Sequence, residues 1–224
     1  MIVKEPTTQT SYKRGISIVI VTYNGLTRLK PTLEHLAKQI GIDFSVELLV
    51  IDNCSTDGTG KFVIDTWKKL HNPFNLRVIL EKTPGQMYAR ERGVNEATYR
   101  YILYCDDDNW FTKDYVKTAY DIIANNEDIA ALGGKGMMEY EDGFQIPTWI
   151  KPFEKNYGCT AQGKVDGDTT FTKGCLYTAG TVIDKKWLDT LKNAGFKPSL
   201  KGRVGKTLTG GEDTELTYAL KLIG

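Results

Sequence analysis

The stretch Ile16-Ser17-Ile18-Val19-Ile20-Val21-Thr22 decides the fold, because it is β-branched almost throughout and apolar on both faces. Such a run is typical of a strand buried inside a parallel sheet, with helices covering both faces. Tyr23-Asn24-Gly25 ends the run, and apolar residues then recur at helical spacing from Leu26 to Ile40, with Gly41 as the stop. The sequence therefore predicts a strand at 16–22 followed by a helix.

Strand and helix patterns continue to alternate through residue 105. Further strands are predicted at 46–51, 76–80 and 101–105, with helices between them and another after Asp108. Short connections between alternating elements favour an α/β protein with a Rossmann-like, mostly parallel sheet flanked by helices. Residues 133–174 are less regular and rich in glycine and aromatics, which predicts a smaller mixed region.

Composition places the chain among ordinary globular proteins. Of its 224 residues 41% are hydrophobic and 25% charged, and 29 Lys plus Arg against 28 Asp plus Glu leave a net charge of +1. A net charge this small creates no long-range electrostatic field that would attract nucleic acid, so no nucleic-acid partner is expected. The longest apolar run falls far short of the roughly 18–20 residues of a membrane span, and no signal peptide precedes it. We expect a cytoplasmic protein.

The domain organisation predicted from sequence is simple. Residues 1–14 are polar and Thr-rich and are expected to form a flexible tail. No Pro/Ser-rich linker interrupts the rest, so 15–224 is predicted to be one domain with halves at 15–110 and 111–224.

Cysteine and histidine usage narrows the chemistry. The four cysteines contain no C-x-x-C pair, which favours reduced thiols over a disulfide scaffold or a zinc site. Only His35 and His71 occur, both in or beside predicted helices and without a nucleophile motif nearby. Carboxylates are therefore the expected carriers of any catalysis.

Polar residues follow three of the predicted strands directly. They are Thr22-Tyr23-Asn24, Asp52-Asn53 and Asp106-Asp107-Asp108-Asn109. Open α/β sheets bind ligands at the carboxyl ends of their strands, so these loops are expected to converge on one site.

The acidic triplet Asp106-Asp107-Asp108 is the strongest local signal. Adjacent like charges repel and need a cation or strong donors to compensate them. Oxygen-only ligands favour Mg²⁺ or Mn²⁺, and Mg²⁺ commonly combines one or two carboxylates with substrate phosphate oxygens. An EF-hand is excluded because Phe111 stands where its glycine is required. The simpler alternative is an exposed acidic turn at the start of a helix.

A second acidic pair, Glu212-Asp213, precedes an apolar helical stripe near the C-terminus. Carboxylates at a helix N-terminus cap free amides and meet the positive end of the dipole. The functional alternative is that Asp213 acts as a general base toward a hydroxyl.

Taken together, these motifs resemble glycosyltransferase family 2, inverting sugar-nucleotide enzymes of the GT-A fold. The resemblance covers nearly the whole chain after the tail. Its elements are 21–24, 50–59, 84–93, the DXD-like 106–109 and the ED-like 211–213.

The resemblance implies a role for each matched residue. Thr22, Tyr23 and Asp52 would hold the base, since a carboxylate suits the imide donor of uracil. Arg90 would lie near the base and diphosphate. The substrate-binding residues implied are Thr22, Tyr23, Asn24, Asp52, Asn53, Arg90, Asp106, Asp107 and Gly180, the last in the acceptor-side floor at 174–180.

The catalytic and metal-binding roles are implied in the same way. Asp108, with Asp106, would bind Mn²⁺ or Mg²⁺, and Asp106 or Asp107 would contact the ribose. Asp213, beside Glu212, matches the catalytic base. The partners implied are a nucleotide-sugar donor, with UDP favoured, and a glycan or lipid-linked acceptor in cell-surface polysaccharide synthesis.

Two departures from the family pattern stand out. Glu91 replaces the usual asparagine after the Ala-Arg pair, and the sequence stops at Gly224 soon after the ED-like motif. Family members often continue further, so we expect a short or trimmed form.

Other functions remain open from the sequence. A sugar nucleotidyltransferase is disfavoured, because no Lys or Arg follows the first strand until Arg28. A non-catalytic nucleotide-sugar or carbohydrate-binding module is the other alternative. Trp110 and Trp149 are candidates for stacking on sugars or for the core. The basic segment 185–206 is either a solvated face or a peripheral contact with the inner face of the membrane.

Overall fold

A six-stranded sheet in the order β3-β2-β1-β4-β6-β5 forms the centre of the molecule. This computed structural model describes residues 11–140, 142–204, 207–208 and 210–223. Strands β1 to β4 run parallel, and β6 is antiparallel to both β4 and β5. The strands are β1 Lys13–Thr22, β2 Val46–Asn53, β3 Asn75–Glu81, β4 Tyr99–Asp106, β5 Ala131–Leu132 and β6 Val182–Asp184, with β7 Arg203–Val204 and β8 Thr207–Leu208 forming a separate pair.

Helices cover both faces of the sheet, as the doubly apolar first strand predicts. Ile16, Ile18 and Ile20 pack in one core with α1, α2 and α4, whereas Val19 packs in a second core with α3, α5 and α6. The α-helices are α1 Leu29–Ala37, α2 Thr59–Lys69, α3 Gln86–Glu96, α4 Tyr115–Ala124, α5 Lys185–Asn193 and α6 Glu212–Ile223, and a 3-10 helix spans Lys151–Tyr157. No helix in the described ranges has the length and apolar character needed to cross a membrane.

Two boundaries differ from the sequence-based prediction. Strand β1 begins at Lys13, so Lys13 and Arg14 belong to the sheet and not to the predicted tail, because Lys13 pairs with Tyr99 ahead of a bulge. Residues 1–10 of that tail lie outside the described residues. Helix α1 ends at Ala37, and Ile40, predicted on its apolar stripe, is 57% exposed. The backbone N–H of Ile40 instead donates to Lys113 O, which carries the chain away from the helix.

The register of the parallel strands brings the predicted loops to one edge. Thr22 at the end of β1 pairs with Asp52 on β2, and Val21 pairs with Asp106 on β4. The expectation that three polar loops converge is confirmed, because parallel strands in register end at one edge. Between α4 and β6, the described residues form only the two-residue strand β5 and the 3-10 helix, as predicted for a smaller mixed region.

Candidate active site

The loop after β1 is tied to the loop after β2 through Asn24. Its side-chain Oδ1 accepts a hydrogen bond from Thr56 N at 2.8 Å, and its backbone N–H donates to Ser55 Oγ at 2.9 Å. Thr22 is buried, whereas the side chain of Tyr23 is 58% exposed. Of the two residues of this loop predicted to hold the base, Thr22 and Tyr23, only Tyr23 has a side chain open to a ligand.

Asp52 and Asn53, at the end of β2, differ in how many of their side-chain atoms are hydrogen-bonded within the protein. Asn53 is buried, with Nδ2 donating to Thr83 O at 2.7 Å and Oδ1 accepting from Gly85 N at 2.8 Å. It therefore fixes the turn that leads into α3. Asp52 Oδ1 accepts from Ser55 N at 3.0 Å. Its Oδ2 has no hydrogen-bond partner among the described residues, which leaves an acceptor free for a base.

Asp107, the middle residue of the acidic triplet, is held by the protein itself. Arg28 donates to it from Nε to Oδ1 at 3.1 Å and from Nη2 to Oδ2 at 2.7 Å. Thr22 Oγ1 also donates to Oδ2, at 2.7 Å. The sequence predicted a compensating cation for the triplet; Arg28, which no motif singled out, supplies this charge for Asp107.

Asp106 and Asp108 lack such an ion pair among the described residues. Burial raises the pKa of Asp106 to about 6; Arg90 opposes this, and the nearby charges of Asp108 and Asp213 add to it. Asp108 is exposed at the loop tip. Although the residue as a whole is exposed, desolvation of its carboxyl group by the surrounding loop and the charge of Asp107 raise its pKa, against the opposing effect of Arg28.

These two carboxylates fit a divalent cation that shares its coordination with a phosphate-bearing substrate. Across the described residues, no group of three or more His, Cys, Asp or Glu side chains is placed to hold a metal alone. Mg²⁺ in proteins often takes only one or two carboxylates and fills its shell with substrate phosphate and water. Asp106 carries a costly buried charge that such a cation would neutralise.

Asp213, at the start of α6, lies in direct contact with Arg90. Arg90 Nη1 is 2.9 Å from Asp213 Oδ1, and its Nη2 donates to Thr178 Oγ1 at 2.8 Å. Asp213 Oδ2 accepts from Thr178 N at 3.1 Å. The Arg90 side chain is only 8% exposed. The sequence did not predict this ion pair, because its partners are 123 positions apart.

Glu212 completes this cluster from the buried side. Its Oε1 is 3.5 Å from Arg90 Nη1, and its Oε2 is buried without a hydrogen-bond partner among the described residues. Arg90 also lies over the ring of Tyr104 on β4, 5.9 Å from its centroid, so the start of α6 lies beside the end of β4. The structure thus brings the two predicted acidic motifs together.

Gly180 links β4 to the segment 174–180, for which the resemblance implies a role as the acceptor-side floor. Its N–H donates to Tyr104 O at 3.0 Å, and its carbonyl accepts from the Tyr115 hydroxyl at 2.5 Å. A Cβ here would lie 2.9 Å from that hydroxyl, and φ is +76°. Glycine is therefore required at this position.

The candidate sugar-stacking residues and the basic segment are also placed. Trp110 and Trp149 are both exposed, so neither belongs to the core. Trp110 stacks on His35, with ring centroids 5.8 Å apart. In the basic segment, Lys185 Nζ donates to Ala97 O and Lys186 lies over the ring of Trp187. Lys206 of this segment lies outside the described residues.

The mostly parallel sheet, the carboxylates at the tip of β4 and the facing acidic start of α6 define a protein of the GT-A class. The model of the family described as "Glycosyl transferase family 2" matches residues 17–180. The chain belongs to this family, which confirms the resemblance read from its motifs.

The similar curated proteins include bacterial glycosyltransferases. Poly(ribitol-phosphate) beta-N-acetylglucosaminyltransferase TarS of Staphylococcus aureus is 30% identical over 126 residues, 54% of this chain and 21% of TarS. Putative teichuronic acid biosynthesis glycosyltransferase TuaG of Bacillus subtilis is 24% identical over 141 residues, 63% of this chain and 54% of TuaG. The matched segments therefore span about half or less of these relatives.

Solved structures share the fold over almost the whole chain. TarS residues 1–349 in complex with UDP-GlcNAc superpose with a TM-score of 0.64 at 24% identity, covering 93% of this chain and 53% of that one. A Pyrobaculum calidifontis mannosyltransferase in complex with GDP-Man and Mn²⁺ gives 0.59 at 18% identity, covering 93% and 54%. The predicted GT-A fold is confirmed.

Proposed function

We propose that this chain is a metal-dependent, inverting glycosyltransferase. It transfers a sugar from a nucleoside-diphosphate sugar, preferably a UDP-sugar, to a hydroxyl group of a glycan or lipid-linked acceptor in cell-surface polysaccharide synthesis. The observation that carries the proposal is that Arg90 pairs with Asp213 at 2.9 Å and lies over the ring of Tyr104, 5.9 Å from its centroid, two residues before Asp106 at the tip of β4. Family membership and the names of TarS and TuaG support it.

On the donor side, the free Oδ2 of Asp52 and the exposed ring of Tyr23 are the groups available to a base. A carboxylate oxygen accepts the imide proton of uracil. Asp106 and Asp108 would hold Mn²⁺ or Mg²⁺, which offsets negative charge on a departing diphosphate. Thr22 donates a hydrogen bond to Asp107, and this contact fixes the loop between the base-binding and cation-binding residues.

On the acceptor side, Asp213 is the proposed general base. Its carboxylate is 26% exposed, and each of its oxygens already accepts one hydrogen bond, from Arg90 or Thr178. A carboxylate has about four acceptor positions, so a hydroxyl can still donate to it. As the hydroxyl oxygen bonds to the anomeric carbon, its proton passes to Asp213. The bond to the diphosphate breaks on the opposite face, which inverts the configuration.

A donor screen followed by a product assay tests this function. UDP-, GDP- and dTDP-sugars are screened by thermal shift with and without Mn²⁺, because a ligand of the native state raises its melting temperature. The donor found is then assayed for nucleotide release with the wild type and Asp213→Asn. We expect Asp213→Asn to bind the donor but to release nucleotide roughly 100-fold or more slowly, the typical loss of a general base.

Glu215→Gln is the matched control, since Glu215 lies on the same helix and accepts from the backbone N–H groups of Ser199 and Leu200. It should release nucleotide at close to the wild-type rate. Donor turnover by Asp213→Asn at the wild-type rate would refute the assignment of the base.

A non-catalytic nucleotide-sugar-binding module is the second candidate. The contacts of Asp213 favour it, because Arg90 and Thr178 already occupy one acceptor position on each of its carboxylate oxygens. Donor binding without transfer or hydrolysis would support this candidate. A nucleotidyltransferase is disfavoured, since Arg28, the first basic residue after β1, is paired with Asp107.

We also propose a cytoplasmic location with peripheral contact at the inner face of the membrane. The exposed side chains of Lys192, Lys197 and Lys201 in the basic segment support it. Sedimentation with anionic and neutral vesicles tests it; equal sedimentation with both would count against the contact.

A further inference from the structure

Arg28 joins the loop after β1 to the acidic triplet. Its Nε and Nη2 form a fork on the Asp107 carboxylate, at 3.1 Å and 2.7 Å. Its guanidinium also donates to the backbone carbonyls of Asn24, at 3.3 Å, and Tyr23, at 3.2 Å. A planar guanidinium suits this bidentate geometry, in which both position and charge are matched.

Two further side chains donate hydrogen bonds to Asp107. Thr22 Oγ1 donates to its Oδ2 at 2.7 Å, and Thr32 Oγ1 on α1 donates to its backbone carbonyl at 3.0 Å. Gly25 permits this close packing, because a Cβ there would lie 2.1 Å from Thr22 Oγ1 and 3.0 Å from Asp107 Oδ2. The Asp107 side chain is consequently only 13% exposed.

We infer that Arg28 is a positioning residue that holds Asp107 against the loop after β1, so that Asp106 and Asp108 alone of the triplet face the diphosphate and its cation. The inference rests on the proposed function and adds to it. Arg28 contributes no group to the reaction; it acts through Asp107.

The reason for such a residue is electrostatic. A diphosphate is itself anionic, and an unpaired carboxylate pointing at it lowers affinity by like-charge repulsion. Three adjacent carboxylates exceed the one or two that a Mg²⁺ site with phosphate oxygens commonly uses. Pairing Asp107 with Arg28 removes the surplus charge and fixes the loop that carries the other two carboxylates.

A double-mutant cycle on the full chain tests the inference. Arg28→Gln, Asp107→Asn and the double variant are titrated calorimetrically with UDP and, in parallel, GDP, in the presence of Mn²⁺. Arg92→Gln is the matched control, because Arg92 has the same 45% side-chain exposure and pairs with Glu96 at 2.9 Å on α3. Thermal melts check that each variant is folded.

We expect Arg28→Gln to weaken nucleotide binding by about 10-fold to 100-fold, the size of one lost charge-assisted interaction, and Arg92→Gln to leave it unchanged. With Asp107→Asn present, Arg28→Gln should have little further effect, because the charge that Arg28 neutralises is already gone.

Three results would overturn the inference. Wild-type affinity in Arg28→Gln would show that the fork is dispensable. An equal loss from Arg28→Gln in both backgrounds would mean that Arg28 contacts the nucleotide directly. If the wild type bound neither nucleotide with Mn²⁺, the proposed function would fail and this inference with it.

Discussion

Asp106 shows how surroundings decide what a single residue can do. Its carboxyl group lies at the end of a buried strand, and burial raises its pKa to about 6, with Arg90 opposing and Asp108 and Asp213 reinforcing the shift. An aspartate in this position binds a proton more tightly when the protein is folded than when it is unfolded. Its ionisation therefore destabilises the fold, and a bound cation would offset that cost.

The pH dependence of stability tests this point. Since the folded pKa is raised, the contribution of Asp106 to stability is complete below its unfolded pKa of 3.8 and is lost as the pH rises through about 6. Asp106→Asn should therefore match the wild type near about pH 4 and exceed it by about 2–3 kcal/mol near pH 8. Urea unfolding at both pH values without metal measures the difference.

Asp114→Asn, at an exposed position before α4, controls for the loss of an ordinary carboxylate. It should change stability little at either pH. A gap between Asp106→Asn and the wild type that does not grow with pH would contradict the account of Asp106.

At the level of the elements, Glu47 connects β2 to its neighbouring strands at the edge of the sheet opposite the candidate site. This buried carboxylate accepts from Ser17 Oγ at 2.7 Å and from Thr98 N at 2.6 Å, and it pairs with Arg77 at 3.1 Å. Burial opposes ionisation of Glu47, but these hydrogen bonds outweigh it and hold its pKa below the ordinary value. These contacts of Glu47 join β1, β2, β3 and Thr98, the residue just before β4, which sets the register that aligns the carboxyl ends of the strands.

Glu47→Gln should destabilise the fold by about 2–3 kcal/mol, less than for a fully buried pair because Arg77 is partly exposed. A lowered folded pKa contributes stability above the unfolded pKa, and that contribution is lost as the pH falls through the folded pKa. The difference should therefore shrink in acid. Denaturant unfolding at neutral and acid pH measures it.

Nucleotide affinity of the folded Glu47→Gln variant should be unchanged, because Glu47 and its partners lie at the end of the strands opposite the candidate site. A stability equal to that of the wild type at neutral pH would contradict the role given to Glu47.

For the whole molecule, the sequence predicted what depends on local pattern. Three local features were sufficient to predict the parallel sheet and its converging loops. They are the first strand with apolar residues on both faces, the alternation of strands and helices, and the polar residues at the strand ends. The contacts of the candidate site that were not predicted include the ion pairs of Arg28 with Asp107 and of Arg90 with Asp213. Their partners are 79 and 123 positions apart, so no spacing rule relates them.

One of these contacts had an indirect signal in the sequence. The repulsion among three adjacent aspartates requires compensating positive charge, and this requirement predicted a cation. Arg28 supplies part of it, and Asp106 and Asp108 are left for a metal. The contact between Arg90 and Asp213 had no such signal, because each residue belonged to a separate motif.

The most direct test of the central claim is a calorimetric titration of UDP into the wild type and Asp108→Ala, each in Mn²⁺ and in EDTA. Asp108 is exposed, so the variant should fold normally. We predict that the wild type binds UDP in Mn²⁺ and loses most of this affinity in EDTA, that Asp108→Ala binds weakly in both, and that its nucleotide release falls by orders of magnitude. Equal binding by both proteins whether or not the metal is present would contradict the claim that the carboxylates at the tip of β4 bind the diphosphate through a cation.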